Sequence, residues 1–304
     1  MLKITNIGLK KIYTHLAQNV RCMASSRREC KNNKDIHIKY IELTNKELID
    51  SDFGLKQFIR KTYLWTGGGI VGSTGIGILG NEILLANHDF LSTSIILLVS
   101  GTVLSLGGVF GIGNAKYSTH KDIIANKSNN HSSHSKTDNY EILYSINSPL
   151  RIFSYGCLVS GMGLMIVPAC GIFHDAMVPA FIASSSVFGG ASWYAMTRKV
   201  GELEPFGGML YGGLSGLVGV SLVGLGSNLF FGFNWFGDTT HLINLYGAIP
   251  LFTGLVAYDT HKSIELYRTG DADHLGCSTG LYLDFMNLLI RFMEIISKAQ
   301  SNKR

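Results

Sequence analysis

Charge is the commodity this chain has least of. Asp, Glu, Lys and Arg make up 15% of its 304 residues, where a soluble domain carries about 25%. A water-soluble globule is therefore not the first reading. No basic stripe interleaved with aromatics is present, so the net charge of +5 does not point to nucleic acid. The five cysteines, Cys22, Cys30, Cys157, Cys170 and Cys277, form no C-x-x-C pair and no zinc spacing. Two of them sit inside apolar runs and read as small buried hydrophobes rather than a disulfide framework. The glycine cluster "GGGIVG" at 67–72 opens an apolar run with no strand before it, so it is no phosphate loop. What is abundant is apolar surface: 46% hydrophobic residues, a mean hydropathy of +0.22 and 36 glycines. Glycine is well tolerated where membrane helices touch.

The first 28 residues contain no acid at all but six cations, Lys3, Lys10, Lys11, Arg21, Arg27 and Arg28. On a helix, Leu2, Ile4, Leu9, Ile12, Tyr13, Leu16 and Val20 fall broadly on one side and the cations largely on the other. An amphipathic, basic, acid-free leader is the composition of a mitochondrial presequence, whereas a secretory signal needs an uninterrupted apolar core. A basic cytoplasmic tail orienting the first span is the alternative.

Uncharged windows near or above the roughly 20 residues needed to cross a bilayer recur at Thr62–Asn81, Phe90–Ala115, Ile152–Phe173, Ala176–Thr197, Gly207–Gly237 and Thr239–Tyr258. A seventh, Leu275–Ile296, is apolar apart from Asp284, Arg291 and Glu294. Lys116, Lys121, Lys127, Lys136 and Arg151 fall between spans two and three, Arg198 and Lys199 between four and five, Lys262 and Arg268 between six and seven. The other connections have neither Lys nor Arg, so positive charge stays on the side of the N-terminus. In a mitochondrial inner membrane that side is the matrix. The tail, with Lys298, Lys303 and Arg304, breaks the pattern if segment seven crosses fully, and fits it if the segment is re-entrant.

These observations predict an all-α, polytopic membrane helix bundle of about seven helices. Residues 1–60 form the presequence and basic segment, 61–296 the membrane domain with a polar loop at 116–148, and 297–304 the tail. Residues 120–140 read as a flexible loop, in which His131 and His134 are solvated rather than metal-binding. Small residues four apart at Gly68/Gly72 and Gly208/Gly212/Gly216 predict close helix crossings.

Two acids stand out. Asp259 ends "LINLYGAIPLFTGLVAYD", and Asp284 lies inside "LYLDFMNLLIRFMEII". If helix six ends at Gly270, a C-cap, and helix seven starts near Ser278 or Thr279, an N-cap, each acid is about a dozen residues from the turn. An antiparallel pair of helices then sets them at similar depth. A carboxylate in the membrane interior faces protein or water and marks a functional site by default. Two within a few ångströms cannot both ionise cheaply, so one keeps its proton as a property of the pair. Losing that proton leaves a doubly negative oxygen cluster that attracts a hard cation such as Ca²⁺. The structural alternative pairs Asp259 with Lys262 and Asp284 with Arg291.

The segment "LYGAIPLFTGLVAYDTHKSIELYRTG…LGCSTGLYLDFMNLLIRFMEII" resembles the last two membrane segments of the Bax inhibitor family, also called the transmembrane BAX inhibitor motif family. The matching elements are Tyr258-Asp259-Thr260 and Leu281-Tyr282-Leu283-Asp284-Phe285-Met286-Asn287-Leu288. The basic N-terminus is similar to that of the mitochondrial growth-hormone-inducible transmembrane protein branch. The resemblance implies a seven-helix bundle with the last helix central, and Ca²⁺ leak or Ca²⁺/H⁺ exchange gated by Asp259 and Asp284. Tyr258, Asn287 and Arg291 support the pair, and no cofactor is implied beyond the transported ions. It also implies roles in inner-membrane organisation and resistance to cell death, with inner-membrane proteins as partners. Bacterial relatives use an arginine near the end of the second span as a latch to the acids; here that region, "VFGIGNAKYS", offers only Lys116.

A non-transporting scaffold that shapes cristae or holds partners is the main rival reading. An intramembrane serine protease is a remote one: Gly213-Leu214-Ser215-Gly216 matches the rhomboid G-x-S-G, with His274 two spans later. A nucleophile and base must come within hydrogen-bond reach, and His274 falls in a polar turn. A non-enzymatic function is the expectation.

Overall fold

The computed structural model describes residues 44–85, 90–125, 139–231 and 234–301. The basic leader, Cys22, Cys30, Lys127, His131, His134, Lys136, Lys303 and Arg304 lie outside the described residues. At Thr44 a capping box opens the short helix α1 (Asn45–Ser51): the Thr44 hydroxyl accepts from the Glu47 N–H, and the Glu47 carboxylate accepts from the Thr44 N–H. The Thr44 N–H foremost, and the Thr44 side chain after it, hold the Glu47 carboxyl below its usual range. The chain continues through α2 (Phe53–Leu85), α3 (Phe90–Asn114), β1 (Tyr117–Ala125), β2 (Asn139–Asn147), α4 (Pro149–Ile172), α5 (Met177–Thr197), α6 (Gly207–Phe231), α7 (Asn234–Arg268) and α8 (His274–Ser301).

Among the described residues there are seven long helices, of which the shortest, α5, has 21 residues, or about 31 Å at 1.5 Å per residue, which matches a hydrocarbon core of about 30 Å. In α3, α4, Glu204–Gly224 and Thr240–Arg268 the composition alone suffices for crossing. The expected all-α membrane bundle is what forms. Helix α8 is its axis, packing against α2, α5 and α7. Leu281, Tyr282, Met286, Leu288 and Leu289 on it are wholly buried. Helices α3 and α6 lie outermost, and their exposed Leu91, Val103, Met209 and Leu222 form a surface suited to lipid.

α8 is continuous over 28 residues. Its first turn meets β2, where His274 bonds Ser145. Its last turn meets the 3₁₀ turn His174–Ala176 between α4 and α5, where the Gln300 side-chain amide donates to the Asp175 carbonyl at 3.5 Å. It therefore runs the full height of the bundle, and the re-entrant alternative is set aside.

Two expectations are corrected. The loop between the second and third spans is in part a β-hairpin: β1 and β2 pair antiparallel from Tyr117↔Asn147 to Ala125↔Asn139. Tyr140, Ile142, Tyr144 and Ile146 supply the strand-forming side chains that the polar composition of the whole segment masked. The second correction concerns glycine. A Cβ built on Gly68, Gly208, Gly212 or Gly216 would meet nothing within 4 Å, so these mark no close crossing among the described residues, whereas one on Gly72 would lie 3.0 Å from Val159 Cγ1 of α4, as expected. The tight contact is α3 on α4, where a Cβ on Gly108 would lie 2.6 Å from the Leu158 nitrogen and one on Gly161 2.5 Å from the Ser105 nitrogen.

These distances separate the glycines by experiment. Gly108→Ala pushes a methyl into backbone that cannot step aside, so we expect a loss of about 1–3 kcal/mol, as for other overpacked cores. Gly212→Ala should leave the melting temperature of the detergent-solubilised protein unchanged or slightly raised, because its side chain enters open space.

Candidate functional site

Helix α7 ends in a Schellman motif. Gly270, at φ +94°, donates to the Tyr267 carbonyl, and Asp271 donates to the Leu266 carbonyl. The predicted C-cap is therefore in place. The start of α8 is earlier than expected: Asp273, not Ser278 or Thr279, caps it, its side chain accepting from the Gly276 N–H at 2.9 Å.

This short turn sends α8 back along α7 and brings the two acids together. A Cβ on Gly280 would sit 2.7 Å from Asp259 Oδ2, so only glycine leaves room for that carboxylate against α8. Asp284 lies one helical turn beyond Gly280 on the same face. Asp284 is 7% exposed, and its Oδ2 has no hydrogen-bond partner among the described residues. Tyr211 of α6 approaches the pair from the third side: its hydroxyl donates to Asp259 Oδ1 at 3.5 Å, and its ring meets that of Tyr258 edge-on at 5.8 Å.

A cleft of about 190 Å³ opens beside Asp259 toward the turn. Tyr211, Lys262, Ser263, Asp273, Gly276 and Cys277 contribute to its wall. Hydroxyls, carboxylates and helix carbonyls are the oxygen donors a hard cation takes. Among the described residues no group of three or more His, Cys, Asp or Glu side chains could hold a metal. An ion visiting the acid pair would complete its shell with neutral oxygens and water.

The structural ion pairs drawn from the sequence do not form around Asp284. Arg291 instead approaches Glu294 at 4.0 Å, and the same carboxylate takes His241 at 2.5 Å and Lys298 at 3.1 Å. Lys262 stands over the Tyr211 and Tyr258 rings at 5.8 and 5.9 Å. Asn287 donates to the Leu283 carbonyl on its own helix. Lys116 is exposed. Ser215 donates to the Tyr211 carbonyl while His274 bonds Ser145 and Asn147, so the serine–histidine dyad is not assembled.

Nothing local in the sequence marks Arg151 as a site residue. It lies in the first turn of α4, 3% exposed, and its guanidinium contacts Asp273 Oδ2 at 2.5 Å. It also donates to the Ile112 carbonyl at 3.2 Å and to Asn147 Oδ1 at 2.8 Å. As a loop charge it only reported membrane sidedness. In the fold it reaches the wall of the acid cleft.

The family model described as inhibitor of apoptosis-promoting Bax1 matches residues 55–302. The chain belongs to the Bax inhibitor family. Proteins called Bax inhibitor 1 are similar to it: that of Oryza sativa subsp. japonica is 29% identical over 146 residues, 47% of this chain and 55% of that one. That of Rattus norvegicus is 30% identical over 148 residues, 48% of this chain and 59% of that one. The uncharacterized protein RP147 of Rickettsia prowazekii (strain Madrid E) is 34% identical over 122 residues, 38% of this chain and 48% of that one. The chain thus spans little more than half the length of the curated relatives it matches. No solved structure matches it.

The buried arginine yields a stability test. Arg151→Met leaves Asp273 buried without its cation, and we expect a loss of about 3–5 kcal/mol. Asn still caps a helix, so adding Asp273→Asn to that variant should recover most of the loss in the same thermal unfolding measurement.

Proposed function

We propose that this Bax inhibitor family protein passes Ca²⁺ across a membrane, as a leak or in exchange for protons, with Asp259 and Asp284 as the coupling site. The observation that carries this reading is the unpartnered Oδ2 of Asp284, buried one helical turn from the Gly280 against which Asp259 packs. Two such groups share a proton when no cation is near. A divalent cation replaces that proton, and proton loss adds negative charge, so Ca²⁺ binding strengthens as pH rises. Tyr211 steadies the charged form of Asp259 by donating to it. Lys262 lies one helical turn beyond Asp259, placed to balance part of the charge of the empty pair.

The location we propose is the mitochondrial inner membrane, with the N-terminus in the matrix. The support is the acid-free basic leader and the concentration of Lys and Arg on one side of the spans. The growth-hormone-inducible transmembrane protein branch, cristae organisation and protection from apoptosis belong to the same proposal. The family description, which names apoptosis-promoting Bax1, supports the last of these. Deleting residues 1–28 should move the full-length protein out of mitochondria in cell fractionation.

A second reading, a scaffold that does not transport, is favoured by one feature. The Gly208, Gly212 and Gly216 face of α6 has open space beside it, and small residues at this spacing let another helix approach closely. Reconstitution into liposomes holding a Ca²⁺ dye separates the readings. Transport gives dye signals that change with pH and fall to the empty-liposome level in Asp259→Asn and Asp284→Asn. A signal from the unaltered protein equal to that of empty liposomes leaves the scaffold.

A further inference from the structure

The turn between α7 and α8 is held from outside by a second part of the chain. Tyr117 on β1 donates its hydroxyl to Asp271 Oδ2 at 2.7 Å, and the Thr119 hydroxyl approaches Asp271 Oδ1 at 3.5 Å. On β2, the Leu143 N–H donates to the Tyr267 hydroxyl at 3.2 Å. Ser145 and Asn147 bond the two ring nitrogens of His274 at 2.8 and 3.3 Å. Arg151, just after β2, completes the set through Asp273, and its guanidinium stacks over the Tyr117 ring at 4.3 Å.

All these bonds converge on residues 267–274, and the cleft begins at that same turn. Asp273, Gly276 and Cys277 line one side of it, Asp259 and Ser263 the other. The turn joins helices α7 and α8 at this end, so pinning it resists their parting there. Asp273 is the point of contact between the two functions: one oxygen caps α8, and the other holds Arg151.

We propose that the β-hairpin and Arg151 form a clamp on the α7–α8 turn that sets how far the acid cleft opens to water, with Tyr117 and Arg151 as its positioning residues. The proposal builds on the cleft being the functional site, yet its test does not depend on ion flux. Cys277 lies in the cleft wall, so its rate of modification by a small water-soluble maleimide reports opening. The rate is read by peptide mass spectrometry, which separates Cys277 from the other cysteines of the full-length protein in nanodiscs.

Two variants weaken the clamp in different places. Tyr117→Phe with Thr119→Val removes the hydroxyls facing Asp271 while leaving the strands apolar and paired. Arg151→Gln removes the ion pair, and Arg151→Lys restores its charge without the fork that also reaches Asn147 and Ile112. We expect Cys277 labelling to rise several-fold in the hydroxyl variant and roughly tenfold in Arg151→Gln, given what buried charged hydrogen bonds contribute. Arg151→Lys should fall between Arg151→Gln and the unaltered protein. An unchanged labelling rate in the hydroxyl variant at an unchanged melting temperature overturns the clamp, even if Arg151→Gln fails to fold. Faster labelling with no Ca²⁺ flux from any form upholds the clamp and removes the transport reading. Flux with unchanged labelling does the reverse.

Discussion

Placing a carboxylate on the axis of a membrane bundle carries a desolvation cost of about 2.5–3.5 kcal/mol or more, and the surroundings of Asp284 are organised by that cost. Its helix is the most buried in the fold, sealed by Leu281, Tyr282, Phe285, Leu288 and Leu289. Lipid therefore never meets the charge. What meets it is Asp259, brought in from α7 because Gly280 has no side chain to obstruct. The glycine-capped turn at Gly270 and the early start of α8 at Asp273 fix the register that makes this possible. Moving either end of the turn by a residue would rotate Asp284 away by about 100°, since a helix has 3.6 residues per turn.

The outer helices serve the same constraint indirectly. α4 sits close enough to α3 for backbones to touch at Gly101, Gly108 and Gly161. Such contact is how helices associate where lipid removes the hydrophobic drive. α4 also carries Arg151 toward the turn and, through Tyr155, packs on Tyr282 of α8 at 6.2 Å. The Tyr155 hydroxyl donates to the Trp65 carbonyl of α2 at 2.7 Å. Helices α2 and α4 are thus tied by a polar bond and α4 and α8 by ring packing, while Thr66 of α2 donates to the Ser278 carbonyl of α8 at 3.3 Å.

Much of this was legible in the sequence. The run lengths predicted the long helices, Gly270 marked the end of α7, and counting residues from it placed the acids at one depth. The Arg151–Asp273 pair was not legible, because 122 positions separate its members and every loop arginine looks alike when counted for sidedness. Tyr211 was hidden for the same reason: nothing local distinguishes a tyrosine facing lipid from one facing an acid two helices away. The glycines of α6 misled because a four-residue repeat selects a face without saying what lies opposite. A strand signal did exist in "YEILYSIN", where aromatic and branched residues alternate with polar ones. Averaging over the polar segment erased it.

The three acids of the α8 region can be ranked by what neutralises them. Asp273, at the turn, has a guanidinium in contact and a helix N-terminus to cap. Glu294, about 15 Å beyond Asp284 along the axis, gathers Arg291, His241 and Lys298. Asp284 stands between these two satisfied ends with Oδ2 unpartnered and another carboxylate as its charged neighbour. Ion pairing that merely stabilised the bundle would place a base at this depth, where Arg291 is only two helical turns away on α8. Arg151 serves Asp273, and Arg291 and Lys298 serve Glu294, so among the described residues no base closes on the Asp284 carboxylate.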